Sequence, residues 1–418
     1  MLIANLVVVL IIAGCVAYQY LKGTLVKAFA MIIVTICASI VAFGFFEALA
    51  GLFISGRDSS FKFLPPPWMQ MLSFVLLFLF TFAGLQTLAE YLTRQQVDLG
   101  LWPERIGRVV CGIFLGLILS GILFTALALA PLPNKYPYQR FEQGRPDAEN
   151  PNKPLLNPDG FATGWFSIIS NGSLSGKRSF ATLHPAFLDQ LFLNRHNIDD
   201  NVPLVTSSQA IKVPAKNAAW YAPEGIKDQD DNPVQPKSVH NLMFLRVGIK
   251  RTAVRDAGTF TLSQLRLICK TKRTTENPLA GKGKNIYPIG YLIAANKIQI
   301  KRLNEVITVT SSDFQSDASE RWIDFAFHVP NDSVPVLVEF KQNCVVQVSP
   351  PVTAEQAPPP APFIPTSERE KQKDTAEPNE PSQAHSPRQP REQTTPTEKG
   401  GLSPISRTLV GPQLDDYK

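Results

Sequence analysis

The chain has 418 residues, of which 44% are apolar and 18% charged, with a formal net charge of +6. The charges are segregated: residues 1–130 hold 12 of the 76, a distribution that excludes both a single soluble globule and a wholly disordered chain. No segment is basic enough to make nucleic acid a main partner.

Four runs with almost no charge come first, at about 1–21, 28–46, 68–89 and 109–130. Each has about the ~20 residues that a helix needs to cross ~30 Å of hydrocarbon. A helix satisfies its own backbone in lipid, so the reading is four membrane helices in two hairpins. The first run contains Ile12-Ala13-Gly14-Cys15, which looks like a lipoprotein cleavage box. It lacks a preceding Lys or Arg and continues past Cys15, which favours a span over a cleaved leader. Glu47 is the one acid near a span interior, and it reads as interfacial if the second span ends at Phe46.

Basic residues set the expected orientation. Lys22 and Lys27 join the first two spans, and Arg94, Arg105 and Arg108 precede the fourth. Against them stand Arg57, Lys62, Lys135 and Arg140 on the other side. The small excess places the first set in the cytoplasm and everything after Pro131 outside. Lys22, Lys27, Arg105 and Arg108 then read as interface anchors beside the lipid bilayer. In the fourth span Gly112, Gly116 and Ser120 recur every four residues, which gives one face of small residues suited to close helix packing, within the chain or in a homo-oligomer.

These features resemble the colicin V production (CvpA) family of bacterial inner-membrane proteins. The likeness rests on Leu21-Lys22-Gly23 followed by Leu25-Val26-Lys27-Ala28, on the four spans, and on Arg105-Ile106-Gly107-Arg108 leading into Gly112, Gly116 and Gly121. It covers residues of about 5–132, roughly a third of the chain. The resemblance implies an integral membrane protein linked to toxin production or export and to envelope upkeep, with no established chemistry; the leading reading is a non-enzymatic scaffold or accessory factor with membrane or envelope protein partners. The chain departs from short members of that family by about 285 further residues. Some members carry a serine protease, but no Gly-Asp-Ser-Gly segment occurs here.

Residues 134–158, rich in Pro, Asn and charge, read as a linker. Region 159–238 holds two amphipathic patterns, Phe161/Trp165/Ile168/Ile169 and Phe187/Leu188/Leu191/Phe192. Both are expected to pack against the neighbouring domain, with the membrane surface as the alternative. The 171–176 stretch has Leu174 where a GxSxG nucleophile would need Ser, so it reads as a turn.

From about 239 to 350 the period becomes two: Leu245/Val247/Ile249, Phe260/Leu262, Leu265/Leu267/Cys269 and Ile323/Phe325/Phe327/Val329. Six or seven antiparallel strands with one wet face are expected, in a sandwich similar to immunoglobulin-like envelope modules. Cys269 and Cys344 fall in this region, and outside the cytoplasm they are candidates for a disulfide across the core. His184 and His328 read as solvated or capping residues, and the loop 281–284 (Gly-Lys-Gly-Lys) as a basic surface loop. No spacing indicates a metal, a cofactor or a catalytic set. Residues 351–418, with 13 Pro and few large apolar side chains, read as a disordered spacer. The fold class is therefore an α-helical membrane domain, a mainly-β sandwich-like module and a tail. An oligomeric channel component and a membrane-anchored enzyme with an unrecognised site are the alternatives.

Overall fold

Uniformly apolar sequence makes the first four helices: α1 (Leu2–Lys22), α2 (Leu25–Ser55), α3 (Met69–Leu92) and α4 (Leu101–Leu129). The computed structural model describes residues 1–55, 65–93, 100–171, 179–272, 279 and 281–366. All four helices are long and apolar enough to cross a membrane. Their outer faces expose Leu10, Phe29, Phe45, Phe80 and Phe114, as helices apolar all round do when lipid is their solvent. The expected hairpins are not the main packing pairs: α1 lies chiefly against α4, and α2 against α3. Arg57, Lys62 and Arg94, used in the orientation reading, lie outside the described residues.

Three further helices follow: α5 (Pro158–Asn171), α6 (Phe180–Leu183) and α7 (Phe187–Asn194). The segment ahead of them is no spacer, since Tyr138, Arg140 and Phe141 are buried. The pattern at Phe187 packs as expected, with Phe187, Leu188, Leu191 and Phe192 buried. The pattern in α5 does not: Ala162 and Phe166 are buried, while Phe161, Trp165 and Ile168 are exposed. From Gly172 on, the turn read at 171–176 lies outside the described residues.

The β-rich part begins earlier than the periodicity indicated. Its strands are β1 (Ile211–Lys212), β2 (Ala219–Tyr221), β3 (His240–Lys250), β4 (Thr259–Thr261), β5 (Leu265–Thr271) and β6 (Lys284–Ile286). They continue as β7 (Pro288–Ala294), β8 (Lys297–Ile300), β9 (Val306–Thr308), β10 (Glu320–Pro330), β11 (Ser333–Phe340) and β12 (Cys344–Gln347). One sheet has the order β1-β3-β10-β7-β8, with β2 also paired to β3; the second runs β12-β11-β5-β6, and β4 pairs with β9. The pairings between these strands are antiparallel. Leu245, Val247, Ile249 and Phe325 of the first sheet share a core with Leu265, Leu267, Val338 and Phe340 of the second. Phe260 bridges them, its ring 6.2 Å from Phe325 and 5.3 Å from Phe340. The likeness to immunoglobulin-like modules extends no further than two packed antiparallel sheets.

The wet face expected on β3 and β10 is covered. Leu242, Phe244 and Ala326 lie under Trp220 and Ile226, with Val352 and Ala357 packed alongside. Asp324, which alternates with Ile323 and Phe325 and so falls on the face expected to be wet, is fully buried and takes two hydrogen bonds from Arg246 at 2.7 and 2.8 Å. Residues 351–366 supply part of this cover and so belong to the folded module. The Ala361 backbone N–H donates to Asp324 at 2.9 Å, and Phe363 is buried 5.6 Å from Tyr291. The rest of the tail reading falls on residues outside those described.

The Cys269–Cys344 bond is also overturned. Both thiols are free and buried. Strand β11 lies between their strands, with Cys344 level with Phe340 and Cys269 with Pro335. That offset is on the order of 15 Å along the strands, and two strand spacings of ~4.8 Å lie across them, whereas a disulfide needs Cα atoms within ~7 Å. Burial pushes the Cys269 thiol up to about 12, which makes it inert.

Candidate functional site

The outer face of the second sheet places Arg266 (β5) beside Glu339 (β11), directly paired in register. Helices α6 and α7 lie over that face and separate it from the ends of α2 and α4. The result is a polar chain reaching from a membrane helix into the sheet, exposed at Glu47 and buried from His184 onward. His184, between α6 and α7, holds Glu47 of α2 with Nε2 at 3.1 Å. Its Nδ1 lies 3.1 Å from Gln190 Oε1, and Gln190 Nε2 donates to Glu339 at 2.7 Å. Arg266 donates to the other Glu339 oxygen, to Asn285 Oδ1 at 2.6 Å and to the Leu183 carbonyl at 2.7 Å. Both partners of His184 are acceptors, an arrangement that suits the imidazolium. Burial works against that cation, but the Glu47 and Glu339 carboxylates outweigh it and raise the group above its ordinary value.

A second cluster lies beside it. Arg140 Nε donates to Asp189 at 2.6 Å and Nη1 to the Tyr138 hydroxyl at 2.7 Å, while that hydroxyl donates to Asp159. Next to it Arg195, fully buried, closes the C-terminal end of α4. Its Nη1 donates to the Leu127 and Ala130 carbonyls at 3.0 and 3.2 Å, and Nη2 to the Tyr136 carbonyl. A cation is well placed there, because the last carbonyls of a helix have no partner within it and carry its negative dipole end. The guanidinium sits 4.2 Å from the Phe192 ring centroid.

Each of the four membrane helices is thus tied at the same end. Asn5 of α1 accepts from the Leu155 N–H at 2.8 Å. Glu47 holds α2, and Gln70 of α3 donates to the Gln342 carbonyl at 3.3 Å. Arg195 holds α4. An apolar core runs through the same junction: Phe43 of α2 stacks on Phe166 at 5.0 Å and meets Phe180 at 5.8 Å.

The sequence-read residues fall in three places. Gly112 and Gly116 face α1: a Cβ on them would stand 2.7 Å from the Val16 Cα and 2.6 Å from the Ile12 Cα. Ser120 is buried on the same helix and bonds the Leu117 carbonyl at 3.0 Å. Lys22, Lys27, Arg105 and Arg108 lie at the opposite helix ends from the sheets, where Arg108 pairs with Glu104. Cys269 and Cys344 do not meet. Helix α2 continues two turns beyond Glu47, yet that residue is met from outside the bundle by His184. His184 is therefore neither solvated nor a cap. His328 is half-buried, with a shielded Nδ1 that has no hydrogen bond among the described residues. The residues missed by sequence reading are Arg195, Arg266 and Glu339. The signal for Arg266 and Glu339 was a charge set inside an apolar run, as in Leu265-Arg266-Leu267-Ile268 and Leu337-Val338-Glu339-Phe340, whereas Arg195, in Leu193-Asn194-Arg195-His196-Asn197, carried none.

Between the helices and the first sheet opens a cleft of 1510 Å³. Its walls carry Arg145, Lys153, Lys282, Lys284 and Arg302, which make no ion pair among the described residues. Three of its five carboxylates are paired, Asp189 with Arg140, Glu149 with Lys237 and Glu305 with Lys301. No group of three or more metal-ligating side chains occurs among the described residues.

No curated protein and no solved structure matches the chain. Residues 4–143, which comprise α1–α4 and the segment carrying Tyr138 and Arg140, match the family model of the colicin V production protein.

Proposed function

We propose that the protein is a non-enzymatic membrane scaffold, an accessory factor in toxin production or export or in envelope upkeep. Its four helices sit in a bacterial inner membrane, with Lys22, Lys27, Arg105 and Arg108 on the cytoplasmic side and the β-rich module outside. The carrying observation is that every membrane helix is bonded at one end to the extramembrane part: α1 to Leu155, α2 to His184, α3 to Gln342 of the β-rich module and α4 to Arg195. Such a joint holds a partner-binding surface at a fixed height above the bilayer. The match of residues 4–143 supports the link to toxin production, and the basic far ends of the helices support the orientation.

Two measurements test this. A phosphatase fused after Pro133 is active and one fused near Gly100 inactive; the reverse pattern puts the module in the cytoplasm and overturns the placement. A photoreactive residue at Lys237, on the cleft rim, cross-links to a defined envelope protein in native membranes, while the purified protein in proteoliposomes passes no ions. Ion flux from the purified chain alone makes it a channel and removes the scaffold reading.

A further inference from the structure

Helix α5 carries three stripes of different character. Ala162 and Phe166 face the core. Phe161, Trp165 and Ile168 form an exposed apolar stripe, and next to it Gly160, Gly164 and Ser167 line the cleft. The helix does not sit beyond the bundle but alongside it. A Cβ on Gly121 of α4 would stand 2.2 Å from the Pro158 carbonyl oxygen and 2.8 Å from the Ala162 Cβ. Gly121 is eight residues before the end of α4, hence about 12 Å down its length. If α4 spans the bilayer, α5 lies within one leaflet, and its 14 residues are too few to cross it.

Two cavities of opposite chemistry meet at this helix. On one side is an apolar pocket of 160 Å³ lined by Ile36 and Ile40 of α2, Phe114 and Ile118 of α4, and Phe161 and Trp165. On the other is the 1510 Å³ cleft with Arg145, Lys153, Lys282, Lys284 and Arg302, which have no ion pair among the described residues. The basic loop at 281–284 lies at the C-terminal end of α5, where a Cβ on Gly281 would stand 3.8 Å from Asn171 Oδ1. The shielded Tyr287 hydroxyl and His328 Nδ1 also line the cleft without a hydrogen bond among the described residues. At Gly164, on the cleft side of the helix, a Cβ would meet nothing within 4 Å, so that side of α5 has room for a ligand.

We propose that α5 is the sill of a binding site for an anionic phospholipid, with the phosphate head in the cleft by Lys282 and Lys284 and a segment of one acyl chain in the apolar pocket. The lipid enters sideways from the leaflet past Phe161 and Trp165, the latter an aromatic suited to the membrane interface. The proposal rests on the membrane-spanning reading of α1–α4 and is independent of the scaffold role.

The full-length protein is purified in detergent and exchanged with phosphatidylglycerol or phosphatidylcholine of matched chains, and bound lipid is counted by native mass spectrometry. Phosphatidylglycerol should be retained at least fivefold better. Lys282→Glu with Lys284→Glu should abolish that preference. Gly164→Phe, which projects into open space, should reduce retention at least fivefold with an unchanged circular dichroism spectrum. Equal retention of the two lipids, or retention untouched by either variant, overturns the proposal. Displacement of phosphatidylglycerol by millimolar inorganic phosphate, with Gly164→Phe without effect, identifies a free-anion site and also overturns it.

Discussion

The bundle and the junction hold the same four helices by different means. Between α1 and α4 the contact is made by what is missing: Gly112 and Gly116 have no side chains, and backbone meets backbone. At the junction it is made by large polar groups: Arg195 reaches helix-end carbonyls, His184 the Glu47 carboxylate, and Gln70 the Gln342 carbonyl in the turn between β11 and β12. Lipid tails are as apolar as leucine, so close van der Waals packing is what can hold helices together within them. Where the helices emerge, their last carbonyls and acids need partners, and the extramembrane part supplies them. The membrane part is thus specified by fit, and the joint by satisfaction of buried polar groups.

Several substitutions sharpen that contrast. The largest effect should come from Glu339→Gln, which leaves the buried Arg266 cation without its counter-ion and costs about 3–5 kcal/mol. Pairing Arg266→Met with Glu339→Leu should recover most of the loss, since an apolar pair of similar volume needs no counter-charge. Denaturant unfolding of the detergent-solubilised protein reads both. Arg195→Met removes the donors for the Leu127, Ala130 and Tyr136 carbonyls and should cost about 2–3 kcal/mol in the same assay.

Inside the bundle, Gly116→Ile drives a branched side chain into the Ile12 backbone and should cost ~1–3 kcal/mol. Stability equal to the parent protein would mean that the α1–α4 contact is not as drawn. The smallest effect concerns pH and separates the two regions. His184 is raised above its ordinary value by Glu47, so its contribution is complete below pH ~6.5 and fades as pH climbs through the folded-state value. Melting temperature should fall over that interval in the parent and in Gly116→Ile, but much less in Glu47→Gln. Identical profiles in all three would detach His184 from the joint.

The membrane helices were legible because nearly every residue in them says the same thing. The long strands β3 and β10 were legible for a related reason, eleven residues of alternation each. Short strands such as β6, β8 and β9, three or four residues long, carry too little period to stand out. Alternation also cannot tell a charge that faces water from one that faces another charge. Arg246 and Asp324 therefore read as a wet face although Trp220 and residues 351–366 cover them. The joint was illegible because its partners are far apart in the chain: Gln190 and Glu339 are 149 residues apart, and Glu47 and His184 are brought together only by the fold. In α5 the apolar stripe was visible, but which side it would turn outward depended on Gly121, in another helix.

The central claim is that the extramembrane part is docked on the helix ends in the membrane-embedded protein, with the α6–α7 segment as the link between the bundle and the sheets. Cysteines placed at Glu47 and His184, whose side chains now meet at 3.1 Å, test it in native membranes with a short thiol-specific cross-linker. Rapid, near-complete cross-linking, matched by none between Lys27 and His184, is the predicted result. Absence of the 47–184 product, with both thiols open to alkylation, would mean that the α6–α7 segment stands free of the bundle and would contradict the account.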